Sequence, residues 1–295
     1  MGQTLQGKVA VVTGSGRNIG RAVALLMAQE GAAVVTNNRS PDSPHGSAEG
    51  TAREIVAAGG RATPVYADIA TMEGARRLVQ AAVDAYGSVD ILVSNAAASE
   101  RAPIDEMTEE QWDGTLDACL KSQFACARYA APIMKAKGWG RIINVSSRIG
   151  LFGFSGMASY AAAKAGTVGL TLALAHELGK HGITVNCLVP TATTHRSAEF
   201  ARFAAAQAVF RHAPSANRLP EHIAPIVAYL CGDAAGKVNG QILYAAGGEV
   251  TLYTSPRPVR TIYKPGGWSL EELSSLFPTA FGDELPPPVN PGNRD

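Results

Sequence analysis

Short apolar runs alternate along the chain with longer stretches in which apolar residues recur every three or four positions. KVAVVT (8–13), AAVVT (32–36), ATPVYA (62–67), VDILVS (89–94), GRIINVSS (140–147), ITVNCLVP (183–190) and QILYA (241–245) read as strands. Helical patterns fall between them, near 18–30, 46–58, 71–86, 108–136 and 220–231, with an irregular or helical stretch near 195–212. Strands that are apolar on both faces and separated by helices predict a parallel sheet covered on both sides. A doubly wound α/β fold follows. The alanine-rich run from Ala158 predicts one more helix, ending near Gly179 or Gly182. After Gly248 the composition turns to Pro, Ser and Gly, so residues 1–249 are expected to form the α/β domain and 250–295 a C-terminal extension. TLY, IYKPGGW and LEELSSLF give that extension apolar groups a disordered linker rarely needs, which predicts partial order. It is placed to reach a subunit interface or to cover a substrate mouth.

Composition narrows the function. The 295 residues are 46% hydrophobic and 17% charged, enough apolar content for a sizeable core. With 26 basic against 25 acidic residues, no electrostatic argument favours nucleic acid or an anionic membrane as partner. Cys119, Cys126, Cys187 and Cys231 are widely spaced and form no CxxC or Cys/His cluster, so neither a disulfide framework nor a metal site is suggested. The start of the chain has no long apolar run and no segment approaches a membrane span, which predicts a cytoplasmic protein.

Candidate chemistry sits in two places. The first strand runs into TGSGRNIG (13–20) and then into a helix. Glycines at such a turn let a pyrophosphate approach the helix N-terminus, where free N–H groups and the helix dipole favour anions. Asn18 stands where another glycine is often found, and asparagine tolerates left-handed dihedrals better than most residues. The second strand ends VVTNNRS, offering Asn37, Asn38, Arg39 and Ser40 but no carboxylate for a ribose 2′-hydroxyl. Together with Arg17 in the glycine turn, Arg39 favours a 2′-phosphate and hence NADP over NAD. The other place is ASYAAAKAG (158–166), where Tyr160 and Lys164 share one helix face. A free phenol titrates near pH 10, too high for ready proton exchange at neutrality, and a neighbouring ammonium favours its phenolate form.

These motifs, over roughly residues 6–248, resemble the short-chain dehydrogenase/reductase family and its Rossmann fold. Thr13, Gly14 and Gly20 match the family's glycine turn, with Ser15, Arg17, Asn18 and Ile19 inside it. Asp68 matches its adenine-contacting acid, followed by Ile69, and SNAA (94–97), with Asn95, Ala96 and Ala97, matches its NNAG loop. Ser147, Tyr160 and Lys164 match its Ser and YxxxK signature; VNCLVPT (185–191), with Pro190 and Thr191, resembles its strand ending in PG. The resemblance implies an NADP-dependent carbonyl reductase or alcohol dehydrogenase in which the cofactor carries the hydride. Tyr160 is then the proton donor or acceptor, Lys164 its partner and a nicotinamide-ribose ligand, and Ser147 a hydrogen-bond donor to the substrate oxygen. The cofactor site would comprise residues of the glycine turn, Asn38, Arg39, Ser40, Asp68, Ile69, Asn95, Ala96, Ala97, Tyr160, Lys164, Pro190, Thr191 and Thr193. A homodimer or homotetramer is expected by the same resemblance.

The chain departs from the family pattern at several points. DACLKS aligns Cys119 with an Asn that serves a proton relay in many relatives, with Ser122 one turn along as a substitute. Ala97 and Thr191 replace glycines, and His195 falls where a carboxamide-holding threonine is usual, with Thr193 and Thr194 just before it. These changes keep open a second reading, a member of the fold that binds a dinucleotide without redox turnover, as a sensor or structural partner, or that uses it for non-redox chemistry. Phe152, Phe154, Met157 and Phe200 point to an apolar or aromatic substrate.

Overall fold

In the computed structural model, which describes residues 3–41, 46–193 and 218–282, eight strands make one sheet. They are β1 (Val9–Val12), β2 (Ala33–Asn38), β3 (Arg61–Tyr66), β4 (Ile91–Ser94), β5 (Gly140–Val145), β6 (Ile183–Pro190), β7 (Ile242–Ala246) and β8 (Glu249–Tyr253). Their order is β3-β2-β1-β4-β5-β6-β7-β8, and all neighbours run parallel except β7 and β8. The strand order turns back on itself between β1 and β4, which opens a crevice at the carboxyl ends of those strands.

Successive residues of β1 supply both faces of the core. Ala10 and Val12 pack with α1 (Asn18–Gln29) and α8 (Ala224–Cys231), whereas Val9 and Val11 pack with α3 (Met72–Tyr86), α5 (Ser122–Lys137) and α7 (Ala158–Leu178). Neither face meets water, which is why the inner strands are dominated by apolar residues. The edge strands β3 and β8 are partly exposed. Among the described residues, no helix is long and apolar enough to cross a membrane.

The structure adds to the expected elements. β2 runs to Asn38, past the predicted end at 36, because Asn37 is buried and its Nδ2 donates to the Val65 and Ala67 carbonyls. The long helix near 108–136 is continuous but carries a π-helical turn, Asp117–Lys121, between α4 (Glu109–Leu116) and α5. α7 ends at Leu178, and one 3₁₀ turn then reaches Gly182. Only glycine fits there, because φ is +72° and a Cβ would sit 2.3 Å from the Gly138 carbonyl oxygen. α2 (Ala48–Ala57) and the short α6 (Arg148–Phe152) complete this unit.

The expected boundary at 249/250 cuts through β8. That strand pairs antiparallel with the whole of β7, from Ile242 opposite Tyr253 to Ala246 opposite Glu249, so the sheet continues to Tyr253. The break in composition at Gly248 marks the hairpin between the two strands. Residues 254–282 belong to a second unit. Its helix α9 (Leu270–Phe281) opens with a capping box from Ser269 and Glu272. Thr194, the stretch expected at 195–212 with His195 and Phe200, and the terminal ELPPPVNPGNRD lie outside the described residues.

Candidate active site

The glycine turn is built for close approach. A Cβ at Gly20 would sit 2.3 Å from the Gly14 carbonyl oxygen and 2.6 Å from Asn95 Nδ2, and one at Gly14 would sit 2.9 Å from Ala96 Cα. Asn18 adopts φ +48°, the one non-glycine residue with positive φ among those described, so the left-handed geometry its type permits is used. Thr13 ties the turn to the loop after β4. Its Oγ1 accepts from the Asn95 and Ala96 amides at 2.9 and 3.0 Å, while Asn95 Nδ2 returns bonds to Thr13 and Gly14 carbonyls at 3.0 and 3.2 Å. The result is a backbone cradle at the N-terminus of α1, with no side chain at Gly14 or Gly20 to fill it, fit for a pyrophosphate.

The other cofactor candidates divide by what their side chains do. Ser15 is buried and its hydroxyl accepts from the Asn37 amide at 2.8 Å, so it anchors the turn to β2. Asn38 is half-buried, with Oδ1 facing the Cα of Gly16, and Arg39 and Ser40 are exposed just beyond it. A cleft of about 260 Å³ lies between the glycine turn and α2, lined by Arg17, Asn18, Ser47 and Thr51 and by an Arg21–Glu54 ion pair. Asp68 is exposed after β3 and its carboxylate accepts from the Ala70 amide, whereas Ile69 is buried. Ala97 is exposed, Pro190 ends β6, and Thr191 and Thr193 donate backbone bonds to the Ala245 and Arg218 carbonyls. Ile19 packs half-buried on the core.

Ser147, Tyr160 and Lys164 stand on α6 and α7, at the carboxyl end of β5. Ser147 is the N-cap of α6, and its Oγ accepts from the Ile149 amide at 3.2 Å, which leaves the hydroxyl proton to donate. Lys164 is 1% exposed, and its Nζ donates to the Val145 carbonyl at 2.7 Å and lies 5.6 Å from the centre of the Tyr160 ring. Two supports hold this pair that sequence reasoning missed. Ser146 Oγ donates to the Lys164 carbonyl at 2.6 Å, and a Cβ at Gly150 would lie 2.5 Å from the Lys164 carbonyl carbon, so α6 lies flush on α7 there. The SS pair before RIG was a visible signal for Ser146; nothing in the sequence marked Gly150.

Cys119 lies in the π turn, fully buried, and its thiol donates to the Ala98 carbonyl at 3.0 Å. It therefore tethers the loop that follows the Asn95 cradle. Ser122, the other candidate for a relay, donates to the Ala118 carbonyl of its own helix at 2.8 Å. Burial pushes the Cys126 and Cys187 thiols up to about 12 and the Cys231 thiol higher still. Of the apolar residues expected to face substrate, Met157 is buried, whereas Phe152 and Phe154 are accessible, Phe152 packing edge-on to Tyr253 with ring centres 6.1 Å apart. No group of three metal-ligating side chains exists among the described residues.

Comparisons with known proteins give the family. A family model described as short chain dehydrogenase matches residues 8–202. Hydroxyacyl-CoA dehydrogenase ChsB1 of Mycobacterium tuberculosis is 36% identical over 96% of this chain and 91% of its own. The 3-oxoacyl acyl-carrier-protein reductase FabG of Thermotoga maritima is 33% identical over 83% of this chain and 99% of its own. A crystal structure of a short chain dehydrogenase from Mycobacterium avium superposes with a TM-score of 0.83 at 33% identity, covering 97% of this chain and 98% of that one. The chain belongs to the short chain dehydrogenase family, NAD(P)-binding oxidoreductases that act on hydroxyl and carbonyl groups.

Proposed function

We propose that this chain is an NADP-dependent dehydrogenase/reductase that interconverts a hydroxyacyl thioester and its oxoacyl form. The observation that carries the reading is the placing of Ser147 and of the paired Tyr160 and Lys164 at the same sheet end as the Gly14–Gly20 cradle. When bound, the nicotinamide supplies or accepts the hydride. The Tyr160 hydroxyl gives a proton to the substrate oxygen in reduction and takes it back in oxidation. Ser147, with its lone pair on the Ile149 amide, aims its O–H at the same oxygen. Lys164 keeps one N–H on Val145 and has two left for a ribose and for water. The 2′-phosphate reading rests on Arg17 beside the cleft near the glycine turn, on Arg39 just past β2, and on a strand end without a carboxylate.

The acyl thioester class comes from the named activities of ChsB1 and FabG, two relatives that match most of the chain. The accessible Phe152 and Phe154, in and just after α6, suit an acyl chain with apolar or aromatic character. A homodimer or homotetramer in the cytoplasm completes the proposal; four free, buried cysteines suit a reducing compartment. The test is oxidation of NADPH and of NADH against a panel of 3-oxoacyl thioesters and simple ketones. Turnover with NADPH and thioesters is expected, and Arg39→Asp should weaken NADPH while sparing NADH. Equal or tighter use of NADH would overturn the cofactor choice, and a preference for simple ketones the substrate class.

A further inference from the structure

Behind Lys164 the structure holds one polar group more than the chemistry above employs. Gln123 lies in the first turn of α5 and is 1% exposed. Its Nε2 donates at 3.1 Å to the Val145 carbonyl, the same oxygen that accepts Lys164 Nζ at 2.7 Å. Two donors take both lone pairs of that carbonyl, so its direction, and the place of the ammonium resting on it, depend on the amide as well as on the strand. Gln123 Oε1 is buried and meets no donor among the described residues.

That oxygen has company. Ser94 Oγ and Asn144 Oδ1, from register neighbours on β4 and β5, are also buried without a partner, on the sheet face that carries α5 and α7. Asn144 reaches across to Thr171 of α7 at 3.1 Å. Unpaired buried oxygens are costly, and the usual resolution where several lie in one layer is ordered water. An amide kept only for packing would be replaced without loss by an apolar residue of its size.

We infer that Gln123 is a positioning residue for the reaction, fixing the Val145 carbonyl on which Lys164 rests and holding, through Oε1, a water in the polar layer behind the ammonium. The inference builds on the redox reading of Ser147, Tyr160 and Lys164. It acts through Lys164, not on substrate. Of the titratable groups on surrounding elements, Tyr160 shares α7, Cys187 reaches toward Lys164 from β6, Arg148 stands on α6, and the π turn carries Cys119 and an Asp117–Lys121 ion pair. None of these is a buried carboxylate, so one introduced at position 123 would be a new charge in the layer.

Two variants test it, with wild-type turnover measured in the same assay. Gln123→Leu should lower kcat about ten-fold with substrate KM, NADP(H) Kd and melting temperature held near wild type. Gln123→Glu should bring a new pH dependence. Protonated, its O–H replaces the amide donor and kcat approaches wild type; as the pH rises and it ionises, the carboxylate repels the Val145 oxygen and draws the ammonium away, so kcat falls. A high-resolution crystal structure of the cofactor-free wild type should show a water on Oε1. Wild-type kcat in Gln123→Leu, a loss matched by equal losses in Kd and melting temperature, an unaltered pH profile in Gln123→Glu, or a dry Oε1 would each overturn the inference. If Gln123→Leu fails to fold, the pH profile of Gln123→Glu decides. A wild type without turnover on any carbonyl would instead sink the redox reading itself.

Discussion

Gly20→Ala tests the cradle to which cofactor binding is assigned in the proposed function. The added Cβ would lie 2.3 Å from the Gly14 carbonyl oxygen and 2.6 Å from Asn95 Nδ2, about 1 Å inside ordinary contact. The first neighbour is backbone, and the second is tied to Thr13 and Gly14 by its two hydrogen bonds, so neither can yield cheaply. Overpacking of this kind costs about 1–3 kcal/mol, and breaking one Asn95 bond adds about 1 kcal/mol. Gly20 is the third residue of α1, where alanine is the better helix former by about 1 kcal/mol. The net loss is then about 1–3 kcal/mol, a fall in melting temperature of about 2–4 °C per kcal/mol for a chain of this size. The same displacement moves the free N–H groups of the turn off the anion they are to bind, so NADP(H) affinity should fall at least about ten-fold. Thermal unfolding followed by circular dichroism, with calorimetric titration of the cofactor, reads both quantities. A variant with wild-type melting temperature and affinity would refute the steric argument; lost stability with unchanged affinity would place the cofactor elsewhere.

Tyr160→Phe should abolish turnover with cofactor affinity nearly intact, because only the proton donor is lost, whereas Lys164→Ala should damage both; most activity surviving in Tyr160→Phe, measured by NADPH oxidation, would reject the assignment. Thiol titration with a disulfide reagent at pH 8 should find the four buried cysteines silent in the native protein and all four reactive in denaturant, since burial holds Cys126 and Cys187 protonated up to about 12; a fast native thiol would refute this. Truncation after Gly248 removes β8 and bares the edge of β7, so it should cost stability or solubility that truncation after Tyr253 spares, as thermal melts of the two proteins would show. Cys119→Ala should retain a substantial part of the activity, because the thiol only tethers Ala98, and Cys119→Asn should maintain or raise it; complete loss in Cys119→Ala with fold and NADPH binding intact would assign the thiol a chemical role.

The order of strands and helices was legible because each inner strand is apolar on both faces, a pattern that only a covered parallel sheet requires. β6 at Ile183–Pro190 coincides with the predicted run, and α7 with its 3₁₀ turn stops between the two glycines expected to end it. β8 was not legible. Its residues, EVTLY, follow Gly247 and Gly248 and precede a proline-rich stretch, and an exposed edge strand buries too little to impose alternation. The π turn was equally hidden. It changes one hydrogen-bond step within a helix whose periodicity on either side is normal, and its consequence, a buried Cys119 tied to Ala98, is a contact across 21 positions.

The site divides along the same physical line. Glycines at 14 and 20, the asparagine at 18, and Tyr160 four before Lys164 are local patterns, each demanded by a backbone shape or a helix face, and so the sequence displays them. What holds Lys164 is not local. Val145 contributes a carbonyl that every residue possesses, Gly150 contributes the absence of a side chain, and Gln123 contributes an amide that elsewhere on a helix would simply face water. Their meaning appears only when β5, α5, α6 and α7 converge on one ammonium. The proposed reacting groups are thus written in spacing, whereas the support for them is written in packing. A cysteine at 119 can stand in the π turn, tied to Ala98, without disturbing the pattern that announces the enzyme.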